Sequence, residues 1–429
     1  MIARAEAGSR MAPRRVVITG IGAVTPIGIG REELWNSLRA RHSAVRTLTR
    51  FDPTPFRTHV AAEVGTFVPA EHMETKRARR LDRFGHFVVA AARMALADAA
   101  LDLQHEDRTR VGAMMGTALG GVGYAEEQLG KYLEGGLRAV DPLLALAVFG
   151  GAASCNVAIE FGLYGPNSTN AMSCASGTMA IGEAVRQIRH GYAEVMIAGG
   201  AEAPLAPLCF GSFALIRAMS TRNDAPSQAS RPFDAARDGF VMAEGAAVLV
   251  LEERARAIAR GAPIIAEIIG YGTTNDGHHM TAPHADGREA ARAMRLAMTD
   301  AHIAPHDVEY VNAHGSSTPL NDPAETAAIR AALGEHAERI PVSGTKGYHG
   351  HALGATGAWE AAICALALAR SWIPPTLNLE VPDAACDLDC VPGEGRSLDF
   401  DVAVSNSFGF GGINACLVLR KDDGRAGGD

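Results

Sequence analysis

Asn170-Ala-Met-Ser-Cys174-Ala-Ser-Gly-Thr-Met179 is the point from which the rest of the chain can be read. It carries a cysteine from an expected strand onto the first turn of a helix. Upstream, residues 157–165 read as the end of an apolar helix and a turn. Downstream, residues 178–190 have helical spacing, with Ile181, Ala184, Val185 and Ile188 on one side and Gly191 as a C-cap candidate. Unpaired N–H groups and the helix dipole at such a junction favour thiolate over thiol. Ser176 and Gly177 are small enough to leave the approach open. The competing reading is an inert cysteine packed as a small hydrophobe. The remaining sequence has to choose between them.

The surroundings are those of a globular chain: 429 residues, 47% apolar and 21% charged. No apolar run approaches about 18 residues, so no membrane span is expected. Residues 1–14 begin a segment with four arginines by Arg15 and no apolar core. It reads as a disordered lead rather than a secretory signal. Residues 421–429 form a Gly/Asp-rich tail, also expected to be disordered. Seven scattered cysteines without paired metal-type spacing suggest a reduced, cytoplasmic setting and no metal site. A net charge of −8 argues against a general nucleic-acid binder.

Strands and helices alternate along the whole length, which is an α/β signature. Arg15-Val-Val-Ile-Thr-Gly-Ile-Gly22 reads as a buried strand entering a glycine turn. The dinucleotide fingerprint is not completed, because Val24-Thr-Pro follows Gly22. Further strands are expected at 110–117, 194–202 and 246–251, and helices at 32–40, from the basic run to about 101, and at 143–162. From about Pro263 the rhythm repeats, with strands at 264–271, 308–313, 340–343, 402–406 and 415–419. The helices there fall at 288–301, 323–333 and 352–369. No sequence repeat is visible, yet matching element order in 15–262 and 263–420 implies a duplication with a site at the junction.

Three glycine-flanked clusters in the second half look like site loops. Tyr310-Val-Asn-Ala-His314-Gly-Ser-Ser-Thr-Pro319 ends a strand in a histidine and a hydroxyl-rich turn. Ser343-Gly-Thr-Lys346-Gly-Tyr-His-Gly-His351 sets a lysine and a histidine on either side of a turn into an apolar helix. A lysine so placed is expected to be buried and to need a carboxylate, for which Glu325 is the candidate. Asn406-Ser-Phe408-Gly-Phe410-Gly-Gly-Ile-Asn414 can turn backbone N–H groups towards an anion. A thiol, two histidines and a backbone donor loop are the parts needed for acyl transfer through a thioester. Separately, Lys76-Arg-Ala-Arg-Arg80-Leu-Asp-Arg83 concentrates positive charge on an acidic chain, which suits an acidic partner.

With these motifs the chain resembles the elongating, type II β-ketoacyl-acyl carrier protein synthases of the thiolase superfamily, from about Arg15 to Leu419. Ser220-Thr-Arg-Asn-Asp224, Arg231-Pro-Phe-Asp234 and Arg237-Asp-Gly-Phe240 add to the match. The resemblance implies a five-layered α-β-α-β-α fold and a homodimer. It implies that Cys174 takes the acyl chain, with the N–H groups of Cys174 and Phe410 as oxyanion hole. His314 and His351 would then assist decarboxylation of malonyl-carrier protein, with Lys346 and Glu325 holding the histidine region. It further implies Phe410 as a gate, Leu119 at the far wall of an acyl pocket, and Phe213 and Phe408 along it. Ser316 and Thr318 would meet the phosphopantetheine arm, which arrives on the acyl carrier protein, so no resident cofactor is expected. Lys76, Arg77, Arg79, Arg80 and Arg217 would receive that partner.

Met172 and Ser173 before the nucleophile, Gly347-Tyr-His-Gly before His351, and Ile413 after the glycines depart from the housekeeping pattern. They point to a specialised type II polyketide or polyene ketosynthase as the alternative, with a non-identical partner subunit. A chain-length factor would lack Cys174. A degradative thiolase would not need both histidines. A cysteine-dependent thioester hydrolase would leave the second histidine and the basic run without a purpose.

Overall fold

The computed structural model describes residues 14–424. The expected disordered lead (apart from Arg14) and the last five residues of the tail lie outside that range. Residues 421–424 belong to the body, because Arg254 pairs with Asp422 and Asp423 and Lys421 with Asp399.

The first half contributes strands β1 (Val16–Thr25), β2 (Val111–Gly116), β3 (Asn167–Asn170), β4 (Val195–Glu202) and β5 (Gly245–Glu253). The second contributes β6 (Ala266–Asn275), β7 (Tyr310–Asn312), β8 (Val342–Ser343), β9 (Val402–Gly409) and β10 (Ile413–Arg420). Their spatial orders are β3-β2-β4-β5-β1 and β8-β7-β9-β10-β6, the same path taken twice. In each half the second strand is parallel to the third and fourth, and the fifth is antiparallel to the fourth and first. The two sheets are joined edge to edge, where Val17 and Ile18 pair with Glu267 and Ala266.

Six helices complete the layers. α1 (Arg83–Asp98) and α2 (Ala152–Phe161) cover the outer face of the first sheet. α4 (Arg288–Asp300) covers that of the second, with α5 (Asn321–Leu333) beside it. Between the sheets lie α3 (Ser176–Arg189) and α6 (Thr356–Arg370), packed on each other and on strands of both halves. This is the five-layered thiolase-like arrangement. It explains why α6 is buried on every side from Thr356 to Leu368 and apolar almost throughout.

A repeat invisible as sequence similarity becomes visible as glycine placement. A Cβ on Gly22 would stand 1.9 Å from the Ala91 carbonyl oxygen of α1, and one on Gly272 would stand 2.2 Å from that of Ala293 in α4. Gly20-Ile-Gly22 is therefore a helix-packing notch, and Gly270-Tyr-Gly272 is its second copy. The same bulge precedes each, between residues 18 and 20 and between 268 and 270.

Two expected helices are interrupted. The basic run forms one short turn, Thr75–Ala78, and α1 starts afresh where the Asp82 carboxylate accepts the Gly85 N–H at 3.0 Å. The expected helix over 143–162 is Leu144–Val148 followed by α2, parted at Gly150 and Gly151. Among the described residues no helix is long and apolar enough to cross a membrane.

Candidate active site

β3 ends at Asn170 and a single 3₁₀ turn, Ser173–Ala175, leads into α3. Ser173 is held at φ +52°, a left-handed conformation that turns the next residue inward. Cys174 is buried within an apolar cluster that includes Phe210, Phe240, Met242 and Leu353. The Phe410 N–H reaches its sulfur, and the Ser173 hydroxyl lies 3.7 Å away. Burial nevertheless pushes the thiol pKa above its ordinary value, against the opposing pull of Ser173, Lys346 and Phe410. Desolvation thus opposes the preference for thiolate expected at the helix start. The resting group is a thiol.

His314 and His351 stand at right angles across the cavity, with ring centroids 5.3 Å apart. His314 follows β7. The main chain of His351 is bound to the short strand Met242–Ala243, through its N–H to Val241 and its carbonyl to Ala243. Its Nδ1 lies 3.0 Å from Thr356 Oγ1 at the start of α6. Burial and the Lys346 charge hold both histidine pKa values well below the usual range, so both rings are neutral. Nδ1 of His314 faces an ammonium, which leaves its ring proton on Nε2, while the Thr356 hydroxyl beside Nδ1 of His351 can donate to it or accept from it.

Lys346 is fully buried, as expected, but its carboxylate is not Glu325. Nζ donates to Glu360 Oε1 of α6 at 2.6 Å and to the His314 carbonyl. Glu325 instead accepts the main-chain N–H groups of His314 and Gly315, each at 2.7 Å, and fixes the turn that carries His314. Both carboxyls are pushed up to about 7 by burial. The sequence did hold a signal for Glu360, because an acid inside an otherwise apolar, buried helix requires a cation.

One cleft contains Cys174, His314, His351, Phe408 and Phe410, with Ser316, Thr318 and Arg217 towards its rim. Phe213 stacks on Phe410 at 6.2 Å and meets Phe240 edge-on. Leu119 does not line this cleft. Its N–H is drawn to Glu202, and its side chain stands partly exposed on the loop after β2. The basic run also divides: Lys76, Arg79 and Arg80 are exposed and make no ion pair among the described residues, whereas Arg77 binds Asn156 and Glu160 of α2. Sequence reasoning missed Asp276, which takes the Asn414 amide at 2.8 Å and anchors the glycine loop. It also missed Glu202, whose acid group lies just behind the nucleophile turn.

The profile of the β-ketoacyl synthase N-terminal domain matches residues 13–257, and that of the C-terminal domain matches residues 265–380. A 3-oxoacyl-[acyl-carrier-protein] synthase 2 of Synechocystis is 46% identical over 95% of this chain and 98% of its own. Among solved structures, a type II polyketide ketosynthase in complex with its acyl-carrier protein superposes with a TM-score of 0.89 at 37% identity. That match covers 96% of this chain and all of the other. The ishigamide ketosynthase/chain length factor gives the same TM-score and coverage at 36% identity. With these matches along nearly its full length and a thiol, two neutral histidines and a buried lysine gathered between its two halves, the chain belongs to the β-ketoacyl synthase family.

Proposed function

We propose that the protein is a 3-oxoacyl-acyl carrier protein synthase that extends an acyl chain by two carbons. Cys174 attacks the thioester of an acyl-carrier protein, the C–S bond to the carrier breaks, and the proton from Cys174 passes to the departing carrier sulfur, which leaves as the thiol. The N–H groups of Cys174 and Phe410 donate to the oxyanion formed in that step. Malonyl-carrier protein then loses carbon dioxide. The resulting enolate oxygen receives the Nε2–H groups of His314 and His351, which needs no metal. The carbanion attacks the acyl carbon, the Cys174 sulfur leaves and is reprotonated, and a β-ketoacyl-carrier protein departs. Lys346, with Glu360, keeps both rings neutral and His314 in place, and Glu325 holds the turn beneath. The acyl chain runs from Cys174 past Phe213 towards Leu119, and the carrier arm enters beside Ser316 and Thr318.

The perpendicular pair of neutral histidines beside a buried cysteine carries this reading. A hydrolase would need one base and an activated water, whereas an enolate needs two donors. The test is purified protein with acyl- and malonyl-carrier protein. Carbon dioxide and a β-ketoacyl product are expected, and hydrolysis of the acyl thioester alone would defeat the reading.

A second reading keeps the chemistry but places it in a type II polyketide system with a non-identical partner subunit. It is favoured by the similarity to the type II polyketide ketosynthase and the ishigamide ketosynthase/chain length factor structures, and by Met172 and Ser173 at the nucleophile turn. The exposed edge of β3, with Leu133, Leu137, Leu146 and Tyr164 uncovered, supports assembly with a second chain. A homodimer is the simplest such assembly, in the cytoplasm with its carrier protein, and light scattering of the purified protein tests it.

A further inference from the structure

Glu202 ends β4, is fully buried, and has no ion pair among the described residues. Its carboxylate is instead wrapped by four donors. Oε1 accepts from Thr117 Oγ1 at 3.0 Å and the Leu119 N–H at 3.1 Å. Oε2 accepts from the Ala118 N–H at 2.6 Å and the Gly354 N–H at 3.0 Å. These donors come from only two places, the loop after β2 and the turn Leu353–Ala355 that leads into α6.

The duplication gives this cradle a meaning. Leu353–Ala355 enters α6 as Ser173–Ala175 enters α3. Both begin with a residue at positive φ, Leu353 at +41° and Ser173 at +52°. Both continue in matching residues, Ala355-Thr-Gly and Ala175-Ser-Gly, so Gly354 is the counterpart of Cys174. Sheet register fixes the facing residue. Glu202 pairs with Gly245 on β5, and Gly409 pairs with Ile413 on β10, at corresponding points of the two ladders. In one copy a carboxylate closes over the turn's N–H. In the other a glycine stands there, and a Cβ on it would come within 3.1 Å of the Cys174 nitrogen. That glycine leaves the N–H open for a reacting oxyanion.

We infer that Glu202 is a positioning residue, an acid group whose two oxygens accept from four donors to fill the non-catalytic copy of the cradle and thereby set the spacing between Cys174 and His351. It touches neither. On one side it holds Thr117, whose carbonyl lies 3.1 Å from Ser176 Oγ, the hydroxyl that donates to the Ser173 carbonyl at 2.7 Å. On the other side it holds Gly354, between His351 and the Thr356 hydroxyl that orients that ring. Two strained turns are thus fixed against each other through one carboxylate. Glutamine cannot replace it, because its amide group would present N–H to donors that require an acceptor. The inference rests on the condensing reaction proposed above.

The test uses the full-length protein with acyl- and malonyl-carrier protein, and compares wild type, Glu202→Gln and Glu202→Ala with and without sodium formate, sodium chloride serving as the control. The expected result is a loss of about tenfold or more in kcat for both variants, with KM for the carrier protein within about twofold. Formate, a free carboxylate of the right size, is expected to restore several-fold activity to Glu202→Ala and none to Glu202→Gln. Wild-type turnover in either variant overturns the inference, as does a folded Glu202→Ala that formate does not rescue. If Glu202→Ala does not fold, Thr117→Val removes a single donor and should lower kcat about two- to fivefold at constant KM. An unchanged kcat there is equally fatal. A wild-type protein that releases no carbon dioxide would instead defeat the condensing reaction itself.

Discussion

Lys346 and Glu360 meet at 2.6 Å in the layer between the sheets, fourteen residues apart and both out of reach of water. Truncating one partner leaves a charge buried without compensation, so Glu360→Ala should cost about 3–5 kcal/mol of unfolding free energy. Glu325→Gln should cost less, since Lys346 keeps its partner, but should loosen the His314 turn and slow carbon dioxide release. Urea unfolding and decarboxylation rates for the two variants check the contrast. Equal stability losses would mean that the ammonium is shared between the carboxyls.

The raised pKa of Cys174 gives alkylation a definite pH dependence. Burial disfavours the thiolate, so its fraction keeps growing with pH beyond the range of an ordinary thiol. Iodoacetamide modification of Cys174, followed by intact mass, should rise about tenfold per pH unit from 6 to 8.5 without levelling off. A plateau near neutrality would indicate a resting thiolate–imidazolium pair. Cys174→Ala should abolish both this modification and acyl loading.

The two helix-packing notches should respond alike. Gly22→Ala and Gly272→Ala each drive a methyl into a helix carbonyl, at 1.9 and 2.2 Å before relaxation. Each should destabilise the protein by about 1–3 kcal/mol or more, measured by chemical unfolding. A neutral effect at either position would show that its helix can move away from the strand.

The basic run should split by residue. Reversing Lys76, Arg79 and Arg80 to Glu should raise KM for the carrier protein, more so at low salt, and leave the thermal midpoint nearly unchanged. Arg77→Ala should instead lower the midpoint, because it breaks the link to Asn156 and Glu160. A carrier KM indifferent to the triple reversal would reduce the run to solvated surface.

Much of this was legible in the sequence. Glycine-flanked motifs announced Cys174, His314, His351 and the 406–414 loop, because turns that bring backbone close to a reacting centre tolerate few residue types. Element order announced the two halves. The lysine's partner was not legible, since Glu325 and Glu360 lie in different helices and spacing along the chain does not say which faces inward. Glu202 was hidden for a related reason: a strand-end acid reads as solvent-facing until four donors are seen converging on it. The state of the thiol was misjudged because helix-terminus chemistry is local, whereas desolvation is imposed by residues as distant as Phe240 and Leu353. Leu119 stands outside the cleft at Cys174 because a tertiary tie to Glu202 sets the course of its loop.

The sheet order has a consequence for synthesis on the ribosome. The end of β1 pairs at once with Gly28 and Ile29, but its start cannot be flanked until β5 and β6 emerge, since Val17 pairs with Glu252 on one side and Glu267 on the other. β6 in turn waits for β10, which follows it by well over a hundred residues. Nascent chains therefore carry open strand edges for most of elongation, with the exposure to mispairing that this entails. The Phe410 N–H and the strand that presents it are made more than two hundred residues after Cys174. The cysteine is thus translated long before the surroundings that complete its site.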